Sequence, residues 1–155
     1  MNDRGEKLLN MADRQITDLT ALLSTTDEAT LHNPCPGREK LGDGTVAAVA
    51  LHTADTYLRI AGFLSVHREH SRFGEAGHED ARATKHVDIP ELIQRLATGR
   101  QALGRLADLT DAHLDAVPPA GQSRFCDGKR TTEEVLAAML THQSHQIDAL
   151  RAAIA

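Results

Sequence analysis

Six polar side chains in the 155-residue chain have the types and the spacing to do chemistry together. His142, His145 and Gln146 fall within little more than one turn of a C-terminal stretch, TTEEVLAAMLTHQSHQIDALRAAIA, and His52, Asp55 and Arg59 follow one another at turn spacing in VALHTADTYLRI. An imidazole and a second donor four residues apart on one helix face chelate a single divalent ion, as the paired histidines of H-E-x-x-H do. At about 100° per residue, His142 and Gln146 lie within roughly 40° of each other, on the face that holds Met139 and Leu150, so that face turns inward. His145 lies about 60° from His142 on the other side. A third ligand has to come from elsewhere, and a metal bound by three groups keeps the open positions that catalysis requires.

These residues need helices to hold them. Thr131 and Glu134 form a T-x-x-E capping box, and Val135, Leu136, Met139, Leu150 and Ile154 recur at helical spacing, which predicts a last helix from Thr131 to the C-terminus. The stretch from about Thr45 to His67 is apolar around most of its circumference and reads as the central helix of a bundle, with His52 in its middle. Asp3 and Glu6 open a first helix to about Ser24, with a stripe of Leu8, Leu9, Met11, Ile16, Leu19, Leu22 and Leu23. Asp88, Pro90 and Glu91 open a third, whose leucines carry it to about Val117, ahead of Pro118 and Pro119. A Pro- and Gly-containing connector follows the first helix and holds His32 and Cys35, with the length of a lid or pocket wall. A polar crossover, Arg68 to Val87, follows the second. The expected fold is an all-α four-helix bundle in one domain, residues 1–155.

Composition bounds the partners. The net charge of −5 and scattered basic residues argue against a nucleic-acid footprint, which concentrates Lys and Arg on one face. No apolar run reaches the roughly 20 residues of a membrane span, and MNDRGEKLL lacks the hydrophobic core of a signal peptide, so a cytoplasmic protein is expected. Two isolated cysteines form no C-x-x-C motif. Cys35 reads as a pocket-wall thiol, because nothing adjacent supplies a base, and Cys126 as a small apolar filler. His67, His70, His78 and His86 raise the question of a second metal site, but solvated histidines in a polar crossover need no ligand.

The order of elements, the PCPG loop at 34–37, the VAAVALHTADTY segment and the histidine-bearing last helix resemble the DinB-like superfamily, which includes the mycothiol-dependent maleylpyruvate isomerase N-terminal domain and the bacillithiol and mycothiol S-transferases. The resemblance spans the chain in topology, on short motifs. It implies a divalent metal, zinc or nickel, held by a histidine of the second helix and an H-x-x-x-H or E-x-x-x-H pair on the last, and in the transferases it implies a low-molecular-weight thiol activated by that metal. His52 matches the first ligand. His142 matches the second, and Gln146 stands where histidine is expected; either Gln146 or His145 would complete the set.

Three readings follow. In the first, His52, His142 and Gln146 or His145 hold a divalent cation in a thiol S-transferase or isomerase, Asp55 orients a ligand or acts as a local base, and Arg59 meets an anionic substrate unless it is simply solvated. In the second, the same polar groups are closed by hydrogen bonds in a metal-free, non-catalytic bundle that binds a small ligand or partner, a homodimer included. A metal-dependent hydrolase is the third, and needs a general base beside metal-bound water.

Overall fold

The computed structural model describes residues 3–65 and 87–155. Its helices are α1 (Asp3–Ser24), α2 (Val46–Ser65), α3 (Ile89–Ala102), α4 (Asp111–Asp115) and α5 (Thr132–Ile154), with 3-10 turns at Glu28–His32 and Leu103–Asp108. The four-helix bundle is built from α1, α2, α3 and α5. Both α1 and α2 pack along α3 and α5, which encloses one aliphatic core. Among the described residues there is no strand, and no helix is long and apolar enough to cross a membrane. The four histidines of the predicted crossover lie outside the described residues.

The helices start where the caps place them. Thr131 and Glu134 close a reciprocal capping box on α5, Asp88 accepts the Glu91 N–H at the start of α3, and the Thr45 hydroxyl accepts the Ala48 N–H, at 3.2 Å, at the start of α2. The α1 stripe is narrower than the apolar residues alone imply. Leu8, Ala12, Ile16, Leu19 and Leu23 are buried, whereas Met11 is 42% exposed, because only about a 100° sector faces the neighbouring helices.

The third predicted helix is corrected by the structure. It ends at Ala102, tightens into the 3-10 turn and restarts as α4. Leu103 and Leu106 are both fully buried, and their three-residue spacing suits a 3-10 turn as well as an α-helix, so periodicity does not separate the two. Gly5 of α1 makes that turn's close approach feasible, since a β-carbon there would overlap the Leu106 carbonyl. Thr110 then nucleates α4: its hydroxyl accepts the His113 N–H at 3.1 Å, and its own N–H donates to His113 Nδ1 at 3.2 Å.

A polar thread through the core fixes how the helices register. Gln15 of α1 donates to the Leu140 carbonyl at 2.8 Å and accepts from the buried Tyr57 hydroxyl at 2.9 Å. Burial also holds that phenol well above its usual pKa, so it stays protonated. Gln143 of α5, wholly buried, donates to the Thr53 carbonyl of α2 at 2.7 Å. Thr53 and Gln143 are the chain neighbours of His52 and His142, so this one bond sets α5 beside α2 in the register that brings the two histidines together.

Candidate functional site

The site lies where α2 and α5 meet beneath two loops. From Val46 to Ala54 every α2 side chain is buried except His52, which is half-buried and marks the opening in that wall. On α5, Gln146 is buried, His142 half-buried and His145 exposed. Of the residues singled out on the last helix, the structure brings Gln146 to 3.4 Å from His142, leaves His145 exposed, and places His52 near enough to act electrostatically on His142.

Each loop delivers an arginine to this cluster. The first is pinned at its base by the Cys35 N–H to the Gly44 carbonyl and the Val46 N–H to the Asn33 carbonyl, both at 2.8 Å, which close an antiparallel bridge between Pro34 and Thr45. A turn closed by the Arg38 N–H on the Cys35 carbonyl, at 3.1 Å, sends Arg38 back toward α5, where its Nε–H donates to Gln146 Oε1. The second loop is closed by the Gly121 N–H on the Cys126 carbonyl at 3.0 Å, and by Asp127, whose carboxylate accepts the Lys129 and Arg130 N–H groups. At its tip Arg124 donates from Nη2 to His142 Nε2 at 3.0 Å while stacking over the Phe125 ring at 4.8 Å. The Phe125 ring stands 6.0 Å from the His142 imidazole.

Arginine has N–H donors and no acceptor, so these contacts settle which ring nitrogens carry protons. Arg59 Nη1 lies 3.2 Å from His52 Nδ1, which makes Nδ1 the acceptor and leaves Nε2 to carry the ring proton. His142 Nε2 accepts from Arg124, and the Gln146 amide nitrogen approaches the same atom at 3.4 Å. Burial, first, and then Coulombic interaction with Arg124, His52, Arg38 and His145 push the His142 pKa down to about 4, so this imidazole is neutral at pH 7.

The other candidates have different company. Asp55 accepts twice from Arg95 of α3 at 2.9 Å, so its carboxylate is held on the α3 side of α2. Arg59 packs along its own helix, on His52 and, at 3.5 Å, on Thr56. Cys35 is buried with its sulfur 3.8 Å from the Ala149 carbonyl, and burial pushes its thiol up, away from the thiolate that a nucleophile needs. Cys126 is buried against the Ser123 hydroxyl at 3.3 Å.

The arrangement bears directly on a metal. A divalent ion needs a lone pair from each imidazole and anionic or strongly donating partners. Here the one lone pair of His142 faces Arg124, that of His52 faces Arg59, and the amide oxygen of Gln146 is bonded to Arg38. Among the described residues no three of His, Cys, Asp and Glu come together to hold an ion. As arranged, these donors do not fit a divalent cation: guanidinium groups stand where it would sit.

Sequence reasoning found the histidine and glutamine positions and missed Arg38, Arg124 and Phe125. Those three sit on loops, and no periodicity points them at α5. The buried Gln15 and Gln143 did carry a signal, being amides within otherwise apolar stripes.

The fold and this junction define an all-α bundle with its polar site between the second and last long helices. The model of the DinB superfamily matches residues 6–147, and the chain belongs to that superfamily. No curated protein and no solved structure matches it significantly.

Proposed function

We propose that this chain is a metal-free member of the DinB superfamily that binds a small organic ligand at the α2–α5 junction. The observation that carries this reading is the pairing of each would-be metal donor with an arginine: His52 with Arg59, His142 with Arg124, Gln146 with Arg38. Removing any of these cations to admit zinc or nickel would break a hydrogen bond and leave a half-buried polar group to be satisfied again. The neutral state of His142 supports a role in holding a ligand by hydrogen bonds rather than in carrying charge.

A second reading, a metal-dependent thiol S-transferase or isomerase, is favoured by one observation: His52 and His142 face each other closely enough for the charge of one to depress the pKa of the other. It requires Arg59 and Arg124 to move away. Metal-dependent hydrolysis would require the same.

Metal analysis of the purified protein, followed by calorimetric titration with zinc and with nickel, separates the readings. The proposed function predicts substoichiometric metal and no binding that His52→Ala or His142→Ala abolishes. One equivalent of metal, lost in both variants, would overturn the metal-free reading.

A further inference from the structure

We propose that the ledge formed by Arg38, Gln146, His142 and Arg124 is a carboxylate-binding clamp, and that the ligand's apolar body lies against Phe125. This rests on the metal-free reading above and names the chemistry of the ligand.

Four side chains form a continuous relay. Arg38 donates to the Gln146 oxygen, the Gln146 amide nitrogen approaches His142 Nε2 at 3.4 Å, and Arg124 donates to that same nitrogen at 3.0 Å. Two guanidinium groups thus stand at the ends of a short row of neutral groups. Among the described residues neither Arg38 nor Arg124 has a carboxylate partner, although the chain as a whole carries a net charge of −5. By contrast, Arg4, Arg95, Arg130 and Arg151 each pair with acids. Two cations brought toward one half-buried ledge without counter-charge repel each other, and an anion between them relieves that repulsion.

The donors specify the anion. Arg38 uses Nε on Gln146 and Nη1 on the Gly37 carbonyl at 2.9 Å, which leaves its Nη2 edge available, and Arg124 uses only Nη2 on His142. Guanidinium edges match the fork of a carboxylate or of a phosphate, so the surroundings decide between them. Phosphate sites are commonly built on free backbone N–H groups at a helix N-terminus, but His142 and Gln146 lie in the interior of α5, where those groups are bonded within the helix. The Phe125 ring, 6.0 Å from His142 and covered on one side by Arg124, offers an apolar surface beside the clamp. A monocarboxylate with a flat apolar body fits these features.

Benzoate is a suitable probe, with benzamide as its neutral counterpart and inorganic phosphate as the competing anion. In calorimetry on the full-length protein, benzoate is expected to saturate one site and benzamide to show no saturation. Arg124→Gln, an exposed position that does not threaten folding, and Arg38→Gln are each expected to weaken benzoate about tenfold or more, the loss of a charge-assisted hydrogen bond. Thermal melts of both variants confirm that they are folded. No saturable benzoate binding, equal affinity in wild type and both variants, or tighter binding of phosphate than of benzoate would overturn the clamp. Metal content measured on the same samples distinguishes the failures: stoichiometric metal overturns the metal-free reading and the clamp with it, whereas metal-free protein that ignores benzoate overturns the clamp alone.

Discussion

At the scale of single residues, the site turns on which atom faces each lone pair. Gln146 sits on the His142 face of α5, and its amide oxygen bonds Arg38 rather than donating to an ion. A histidine at this position would supply a second imidazole beside His142 and remove the Arg38 acceptor. Gln146→His is therefore expected to gain measurable zinc affinity over wild type in a competition assay with a chromogenic chelator; equal affinity would show that Gln146 is not what withholds the metal. His142 supplies a pH test. Its folded-state pKa of about 4 lies below the ordinary value of 6.5, so the unfolded chain binds more protons between these values. This contribution to stability is complete above pH 6.5 and falls as the pH drops toward 4. The urea midpoint of wild type should accordingly fall relative to that of His142→Gln on acidification through that window, and a constant difference would contradict the depressed pKa. His52, His142 and Gln146 were legible in the sequence because helical spacing fixes their face. Their arginine partners were not, because a loop's path depends on hydrogen bonds such as Cys35 to Gly44 that no periodic pattern encodes.

At the scale of elements, capping and turn chemistry decide where the chain bends. The Thr131–Glu134 box begins α5 and with it the register of the site; Thr131→Ala is expected to cost about 1 kcal/mol in urea unfolding. The same kind of signal at Thr110 begins α4 and was hidden by the leucine spacing of Leu103, Leu106 and Leu109, which reads as one long helix. A capping residue whose partner three positions on is a histidine, rather than a glutamate, is harder to see in sequence, although the geometry it closes is equivalent. The thread from Thr53 to Gln143 does more for the site than either helix's apolar stripe, since a buried amide bonded across the interface tolerates no sliding.

At the scale of the molecule, four helices with apolar faces, three of them opened by a side-chain cap, define the bundle, and their pattern could be read directly because it repeats every turn. The close contacts that complete it could not. Gly5 is one: its missing side chain lets α1 meet the Leu106 carbonyl. Gly5→Ala is expected to lower stability by about 1–3 kcal/mol despite alanine's better helix propensity, because a backbone carbonyl cannot yield as a side chain does. Equal or higher stability in urea unfolding would show that the helix and turn have room to separate. The Arg4 guanidinium, bonded to Asp111, Asp115 and Glu133, joins the same end of α1 to α4 and α5, so this corner is held by packing and charge together.

The central claim is that arginines occupy the lone pairs a metal would need. Nitrogen-15 NMR of the histidine side chains reads this directly. The expected result is a neutral His142 ring at pH 7 with its proton on Nδ1, a His52 Nδ1 that acts as acceptor, and no change in either ring on addition of one equivalent of zinc. Stoichiometric zinc-induced shifts of both imidazoles, with the reverse tautomer at His52, would contradict it.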